Sequence, residues 1–284
     1  MFSLCVLIFS CFIFVSVSLS PTGVEVCTGP LGQGISNAVG LAIAEMNLSA
    51  TFSPAVFDNY TYVICGDGCL QEGISSEASS IAGHLGLGKL IVLYDDNSIT
   101  IDGPTSLSFT EDVAKRYEAY GWHVISVDDV ANGLQDLRNA VAEAQLVTDK
   151  PSLIKIKTVI GYGSQKQGSE KTHGSPLGAD DVAAVKQKFG FDPSKSFQID
   201  DDVKAFWYVI TKEREAKWQA WGALYAEYAK SNPKEFKELE RRFKGESMTE
   251  EELLAVLPKF QYGKDKDKGE YVFSRSVFCL ADWD

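Results

Sequence analysis

Apolar positions along the chain form short continuous runs, separated by longer stretches with helical spacing. Residues 60–65 (YTYVIC) and 89–94 (KLIVLY) are nearly continuously apolar and rich in β-branched or aromatic side chains, which is typical of parallel strands covered on both faces. Residues 71–85, between them, have the small residues and the spacing of a helix that ends at Gly86. Residues 29–48 begin as a glycine-rich turn and continue as a further helix.

The alternation of strand and helix continues beyond residue 100. The pattern predicts a helix over 110–120, a strand over 122–127, a helix over 134–148 and a strand over 152–159. Strands that alternate with helices in this way predict an α/β domain with a doubly wound, mostly parallel sheet.

The pattern changes after Gly161, where the chain becomes rich in Gly, Ser, Gln and Lys up to residue 176. This stretch predicts a long surface loop, and such loops often carry functional residues. Helical patterns follow over 179–189 and 202–230, and Thr249 with Glu252 three residues later is a capping box that opens a short helix. The α/β domain is therefore predicted to carry a helical C-terminal extension.

Four aromatic residues share one face of the predicted helix over 202–230. A row of this kind can serve as a ligand platform, but a buried packing stripe is much more common. We therefore predict that the row packs against the rest of the protein. Its members are Trp218, Trp221, Tyr225 and Tyr228.

Both ends of the chain depart from this globular pattern. Residues 1–20 are almost wholly apolar, and the first charged residue is Glu25. This leader can be a secretory signal, a membrane anchor or sequence that is not natively coding. It lacks the basic start of a signal, and it is at the short limit for a spanning helix. Residues 263–284 have neither helical nor strand periodicity, so we interpret both ends as read-through or mis-spliced sequence.

The predicted organisation is a signal-like or artefactual leader over 1–20, an α/β domain over 21–195, a helical extension over 196–262 and an irregular tail over 263–284.

Composition and charge narrow the possible ligands. The chain has 284 residues, of which 45% are hydrophobic and 23% charged, and this profile indicates a globular protein. The formal net charge of -12 disfavours nucleic acid as a partner, because binding a phosphate backbone needs clustered Lys and Arg. An anionic ligand must therefore be held by local features.

The cysteines do not form a repeating framework, which favours a reduced compartment and ordinary buried thiols. Cys65 and Cys69 could suggest a metal pair, but no second Cys or His pair at zinc spacing accompanies them. The six cysteines are Cys5, Cys11, Cys27, Cys65, Cys69 and Cys279.

Candidate metal-binding residues follow the two apolar runs. Gly66, Asp67 and Gly68 come directly after the first run, and Asn97 ends the second. Because the carboxyl ends of neighbouring parallel strands meet at one edge, Asp67 and Asn97 can converge there. Carboxylate and amide oxygens suit Mg²⁺, and the glycines allow the backbone to approach a diphosphate. The alternative is a tight Gly-Asp-Gly turn and an unrelated asparagine.

The longer strings around these residues resemble the transketolase family. The string GDGCLQEGISSEASSIAGHLGLGKLIVLYDDNSITIDGPT is similar to transketolases, and GPLGQGISNAVGLAIAE before it and KTHGSPLGADDV after it resemble the same family in the same order. The resemblance spans about residues 22–264. It implies a thiamine-diphosphate-binding fold in the α/β domain, whereas the family's pyrimidine-binding and C-terminal domains are missing from this sequence.

The resemblance also implies roles for individual residues. Asp67, Asn97 and the backbone carbonyl of Ile99 would bind Mg²⁺ or Ca²⁺, and His173 would be a catalytic residue near the diphosphate and the substrate. Glu72 and Glu77 match family carboxylates near the dimer contact, whereas we interpret His84 and His123 as structural. The residues expected to bind the cofactor are Gly29, Pro30, Leu31, Gly66, Gly68, Asn97 and His173.

Members of this family transfer a two-carbon ketol unit between sugar phosphates, with thiamine diphosphate as cofactor. The resemblance therefore implies substrates such as xylulose 5-phosphate and ribose 5-phosphate, a role in the pentose phosphate pathway or the Calvin cycle, a homodimer, and a cytoplasmic or plastid location. The glutamate that activates the cofactor lies on the pyrimidine-binding domain of a partner subunit, and substrate-binding histidines precede the GPLGQG turn. Neither has a place in this chain, so we expect cofactor ligation without turnover by the chain alone.

A competing hypothesis is a secreted or membrane-tethered binding protein that has kept the fold and lost catalysis. The apolar leader favours it, since a membrane is a partner only if that leader is genuine. The acceptor triplets for glycosylation that begin at Asn47 and Asn59 are compatible with it.

Overall fold

Six parallel strands form the main sheet of the computed structural model, which describes residues 5–10 (backbone only), 24–131 and 134–257. The strand order is β2-β1-β3-β4-β8-β7, and every pair of neighbours in this sheet is parallel. A short antiparallel pair, β5 with β6, lies outside it. The sheet confirms the predicted α/β class. In chain order the strands are β1 (Cys5–Ser10), β2 (Val24–Cys27), β3 (Tyr60–Gly66), β4 (Leu90–Asp96), β5 (Ile99–Thr100), β6 (Gly103–Pro104), β7 (His123–Val127) and β8 (Ser152–Lys157).

Part of the apolar leader belongs to the sheet. Strand β1 pairs with β2 on one side and with β3 on the other, a role that none of the three interpretations of the leader anticipated. Residues 1–4, 11–23 and 258–284 hold the rest of the leader and all of the predicted tail, and they lie outside the described residues. Among the described residues, no helix combines the length and the apolar character needed to cross a membrane.

The predicted helices are present, with boundaries shifted by a few residues. Helix α3 ends at Gly86, whose φ of 62° is the left-handed conformation that glycine favours. Thr249 and Glu252 form the predicted capping box, whereas α8, which begins with a proline, had not been predicted. The helices are α1 (Gln33–Thr51), α2 (Asp67–Leu70), α3 (Gly73–Leu85), α4 (Val113–Ala119), α5 (Gln135–Leu146), α6 (Ala179–Lys188), α7 (Asp201–Ser231), α8 (Pro233–Phe243) and α9 (Glu250–Val256).

Apolar side chains cover both faces of the central strands. On one face, α1, α3 and α4 pack against β3 and β4 around residues such as Ala38 and Val63. On the other face, α5 packs against alternate residues of the same strands, around Tyr62, Ile91 and Ala144. Burial on both faces explains why these strands have continuous apolar sequences.

The predicted surface loop over 161–176 is folded back onto α6. The buried Ser164 hydroxyl donates to Asp181 Oδ2 at 2.6 Å, and the Gln165 N–H donates to Asp181 Oδ1 at 3.0 Å. The loop contains a short 3-10 turn over Glu170–Thr172. Its position is therefore fixed by the first turn of α6.

The aromatic row on α7 packs in part. The Trp221 Nε1–H donates to the Val56 carbonyl at 2.9 Å, and the ring stacks on Tyr225 with centroids 5.1 Å apart. Tyr228 is buried. Trp218 is 67% exposed, so the packing prediction is wrong for that residue, because it lies one turn before the part of α7 that reaches the domain.

Contacts divide the chain into two compact units, Met1–Glu227 and Tyr228–Asp284. Within the second unit, Glu238 on α8 accepts hydrogen bonds from Arg241 and Arg242, which lower the pKa of its carboxyl to about 2. Leu239 on the same helix is fully buried.

Candidate functional site

Asp67 is a buried carboxylate at the carboxyl end of strand β3. It is the first residue of α2 and is 3% exposed. Its Oδ1 accepts a short hydrogen bond from the Tyr94 hydroxyl, and its Oδ2 accepts the Ser98 N–H at 3.0 Å. Tyr94 lies on β4, the parallel neighbour of β3, and Ser98 follows that strand. The strand order therefore holds Asp67 against the end of β4.

The surroundings of Asp67 oppose its ionisation. Burial raises the pKa of the Asp67 carboxyl, the hydrogen bonds from Tyr94 and Ser98 lower it, and the nearby charges of Asp96 and Asp95 raise it further. Burial and the bond to Asp67 also raise the pKa of the Tyr94 hydroxyl, so Tyr94 remains a donor. A buried carboxylate beside other acids is stabilised by a cation.

The loop after β4 carries Asn97, Ser98 and Ile99 to Asp67. Ser98 has a φ of 63°, a left-handed conformation that is uncommon outside glycine and points to local constraint. This conformation accompanies the bond from the Ser98 N–H to Asp67. The Asn97 Oδ1 accepts the Ile99 N–H at 3.0 Å, and the Asn97 Nδ2 donates to Asp95 Oδ2 at 3.1 Å.

The glycine-rich turn over residues 29–32 packs against the segment that carries Asp67. A Cβ on Gly68 would lie 3.1 Å from Leu31 Cδ1, and a Cβ on Gly32, which has a φ of 79°, would lie 2.8 Å from Glu72 Cβ. A side chain is therefore excluded at Gly32, and at Gly68 it would require Leu31 to shift. A Cβ on Gly29 or Gly66 would meet nothing within 4 Å, so space remains open beside the turn and beside Asp67.

These residues fit a divalent cation that binds together with a diphosphate. Among the described residues, no group of three or more His, Cys, Asp or Glu is arranged to hold a metal. A cation beside Asp67 would therefore need amide, carbonyl and ligand oxygens, which the Asn97–Ile99 loop and a diphosphate can supply. The Thr28 hydroxyl next to the turn is buried and has no hydrogen-bond partner in the described part of the chain, as expected beside a ligand site.

The other predicted residues are partly or fully exposed. His173 is half-buried after the 3-10 turn, and its backbone N–H donates to the Glu170 carbonyl at 2.9 Å. None of the contacts between described residues joins His173 to Asp67. Glu72 and Glu77 are exposed at the start of α3 and on its surface. The roles of these three residues stay predictions.

Sequence patterns missed the residues that support Asp67 and Asn97. Tyr94 belongs to an apolar strand and resembles a core residue, and only the register of β3 with β4 reveals its hydroxyl as a partner of Asp67. Asp95 accepts hydrogen bonds from Asn97 and from the Thr158 hydroxyl, which follows β8. The run of two acids before Asn97 was the one available signal for Asp95.

A protein-family comparison identifies the same region of the chain. The model described as transketolase, thiamine diphosphate binding domain, matches residues 18–248. The chain is 57% identical over 228 residues to transketolase 1 of Saccharomyces cerevisiae, and the aligned region covers 79% of this chain and 34% of that protein. It is 51% identical over 264 residues to the chloroplastic transketolase of Zea mays, and the aligned region covers 92% of this chain and 39% of that protein.

Solved structures agree with these relatives. The transketolase of Leishmania mexicana superimposes with a TM-score of 0.78 at 51% identity, over 84% of this chain and 36% of that one. A Pichia stipitis transketolase in complex with sedoheptulose 7-phosphate superimposes with a TM-score of 0.78 at 44% identity, over 90% of this chain and 38% of that one. The chain thus spans a little over a third of the length of the relatives it matches.

Proposed function

The chain belongs to the transketolase family and carries its thiamine diphosphate binding domain, and from this membership we propose that it supplies the metal- and diphosphate-binding half of the cofactor site. The observation that supports the proposal is the setting of Asp67. Its carboxylate is buried between two hydrogen-bond donors and lies beside the Asn97–Ile99 loop. An anion in that position needs a cation, and an acidic protein needs the same cation to hold a diphosphate.

In this proposal the oxygens of Asp67, Asn97 and the Ile99 carbonyl hold Mg²⁺ or Ca²⁺. Gly66 and Gly68 let the backbone approach the diphosphate, because neither carries a side chain that would fill the space. The Gly29–Pro30–Leu31 turn receives the aminopyrimidine end of the cofactor, and Thr28 supplies an unpaired hydroxyl next to it. His173 contacts the diphosphate and the substrate from the loop held by Asp181.

The proposed reaction is the transfer of a two-carbon ketol unit between sugar phosphates, within a homodimer. Bound thiamine diphosphate supplies the chemistry that breaks and forms the carbon–carbon bond beside a carbonyl, and the protein orients it. The Pichia stipitis complexes with xylulose 5-phosphate and sedoheptulose 7-phosphate support sugar phosphates as the substrate class. The chloroplastic relatives support a plastid as one location, and the cytoplasm is the other location that the family resemblance implies.

The secretory alternative expects the leader to be removed from the protein. In the structure, Cys5–Ser10 pairs with strands on both sides, which gives this part of the leader a place in the fold. We therefore retain the enzyme family as the basis of the proposal.

Calorimetric titration of thiamine diphosphate into the full chain tests the proposed half-site. We expect saturable binding that requires Mg²⁺, because the metal offsets the repulsion between the diphosphate and an acidic protein. Thiamine, which lacks the phosphates, is the control ligand and should show no metal-dependent binding. A chain that is folded by circular dichroism and binds no cofactor with Mg²⁺ present would contradict the proposal.

Turnover is a separate part of the proposal. We expect no detectable ketol transfer from xylulose 5-phosphate to ribose 5-phosphate by the 284 residues alone, since they span a little over a third of their relatives. The measurement is a coupled assay of aldose phosphate release, with a full-length transketolase of the family as the positive control. Rates comparable to that control would show that these residues hold the complete catalytic apparatus.

A further inference from the structure

A second carboxylate, Asp95, lies between Asn97 and the end of strand β8. The Asn97 Nδ2 donates to Asp95 Oδ2 at 3.1 Å, and the Thr158 hydroxyl donates a short hydrogen bond to Asp95 Oδ1. Both oxygens of Asp95 therefore face side-chain donors of the protein. Strand β8 is the parallel neighbour of β4, so the main sheet itself sets the position of Thr158.

The contact with Asp95 fixes the orientation of the Asn97 side-chain amide. A primary amide has one oxygen, which accepts, and one NH₂ group, which donates. Because Nδ2 is held by a carboxylate that can only accept, Oδ1 must point away from Asp95, where it accepts the Ile99 N–H at 3.0 Å. The second lone pair of that oxygen remains available to a cation.

We propose that Asp95 is a positioning residue that keeps the Asn97 amide oxygen turned toward the metal, and that Thr158 holds Asp95 in place. The proposal rests on the metal site of the proposed function. It concerns a group that acts through Asn97, since partners that orient the ligands of a metal contribute strongly to metal affinity.

In the described part of the chain, the neighbouring carboxylate of Asp96 contacts two lysines of β8 and, at 3.5 Å, the Ser98 hydroxyl, but not the Asn97 amide. It is paired with Lys155 at 3.3 Å and with Lys157 at 3.4 Å. Its replacement by asparagine removes the same charge from the same strand without touching the amide of Asn97. Asp96→Asn is therefore a matched control for the electrostatic effect of Asp95→Asn.

Replacement of Asp95 by asparagine should release the amide of Asn97. The introduced amide can pair with either end of the Asn97 amide, because the Thr158 hydroxyl can accept from its NH₂ group as well as donate to its oxygen. The orientation of the Asn97 amide is then no longer fixed, and its NH₂ group can turn toward the metal. We expect Asp95→Asn to raise the Mg²⁺ concentration needed for thiamine diphosphate binding by about 10- to 100-fold.

The test is calorimetry of Mg²⁺-dependent thiamine diphosphate binding by the full chain, with a double-mutant cycle. If Asp95 acts through Asn97, the double variant Asp95→Asn with Asn97→Ala should bind no more weakly than Asn97→Ala alone. Asp96→Asn should lose much less affinity than Asp95→Asn. Wild-type affinity in Asp95→Asn, an equal loss in Asp96→Asn, or additive losses in the double variant would each overturn the proposal.

A second readout needs no cofactor. The side-chain NH₂ signals of Asn97 in a ¹⁵N–¹H NMR spectrum of the metal-free protein are assigned by their absence in Asn97→Ala. We expect them to shift in Asp95→Asn and in Thr158→Val, and to stay close to their wild-type positions in Thr158→Ser, which keeps the hydroxyl. Unchanged signals in Asp95→Asn would overturn the role of Asp95 even if the wild-type chain bound no cofactor, a result that would separately contradict the proposed function.

Discussion

Replacing Asp67 by asparagine is expected to abolish Mg²⁺-dependent binding of thiamine diphosphate without destabilising the metal-free protein. The substitution removes the proposed anionic ligand, and even changes to groups that only orient a ligand cost about 10- to 100-fold in metal affinity. We therefore expect a loss of more than about 100-fold for the ligand itself. Calorimetry with and without Mg²⁺ measures it.

The stability of this variant follows from the raised pKa of Asp67. A native carboxyl whose pKa lies above its unfolded value binds more protons than the unfolded chain does between the two pKa values. The free energy of unfolding therefore falls as pH rises from the ordinary value of 3.8 through the native pKa. At a pH above both pKa values, Asp67 is ionised in the folded protein and its buried charge lowers the free energy of unfolding in full. Asp67→Asn removes that charge.

The asparagine can keep both hydrogen bonds of the aspartate. Its oxygen can accept the Ser98 N–H, and its NH₂ group can donate to the Tyr94 hydroxyl oxygen. Denaturant unfolding without metal should thus show that the free energy of unfolding of the variant increases relative to that of the wild type as pH rises from below 3.8 to neutral.

Asp102→Asn is the control for Asp67→Asn. Asp102 is exposed between β5 and β6, so the same loss of charge there should change neither binding nor stability measurably. Wild-type binding by Asp67→Asn would refute the ligand role of Asp67. An unfolded variant at neutral pH would show that the carboxylate is a structural group.

The apolar runs predicted the central strands well because β3, β4 and β8 are covered on both faces. Strand β2 is only four residues long, with alternately half-buried and exposed side chains, so continuous apolar sequence did not predict it. Strand β1 was not predicted for the opposite reason. Its residues lie inside a longer apolar run, and composition alone cannot distinguish a buried strand from a signal or an anchor.

The sequence predicted those residues of the candidate site that directly follow a predicted strand. Asp67 and Asn97 each follow an apolar run, and parallel pairing of consecutive strands is common enough to bring them together. The contact of Thr158 with Asp95 depends on β8 lying next to β4 with β7 outside it. This reversal of strand order has no local sequence signal. The left-handed conformation of Ser98 was equally hidden, because serine rarely adopts it.

The Gly83→Ala substitution in α3 is expected to destabilise the fold strongly. A Cβ on Gly83 would lie 1.8 Å from the Tyr120 carbonyl oxygen and 3.3 Å from Trp122 Cδ1. The obstacle is backbone, which cannot rotate away as a side chain can. Overpacking costs about 1–3 kcal/mol and occasionally more, and a contact this short with backbone favours the upper end of that range. Denaturant unfolding measures the loss.

Gly40→Ala is the matched control for Gly83→Ala. Gly40 lies within α1, and its added Cβ would meet nothing within 4 Å, so alanine should stabilise the protein by up to about 1 kcal/mol through helix propensity. The two variants should therefore change stability in opposite directions. Equal stability in both would show that α3 does not approach Tyr120 as closely as the structure indicates.

Gly83→Ala should also weaken cofactor binding, although Gly83 lies at the far end of α3 from Asp67. To accommodate the methyl group, α3 must move away from Tyr120, and the hydrogen bond from Trp122 Nε1 to the Ser79 carbonyl, 2.8 Å long, must lengthen. The same helix begins at Gly73, directly after α2, and its first turn holds α2 through a 2.5 Å bond from the Ser75 hydroxyl to the Cys69 carbonyl. Displacement of α3 therefore reaches the segment that carries Asp67.

The measurement is the Mg²⁺-dependent affinity for thiamine diphosphate, at a temperature where both variants are folded. The affinity should fall in Gly83→Ala and stay unchanged in Gly40→Ala. Unchanged affinity in Gly83→Ala would mean that the binding loops are held by the sheet alone.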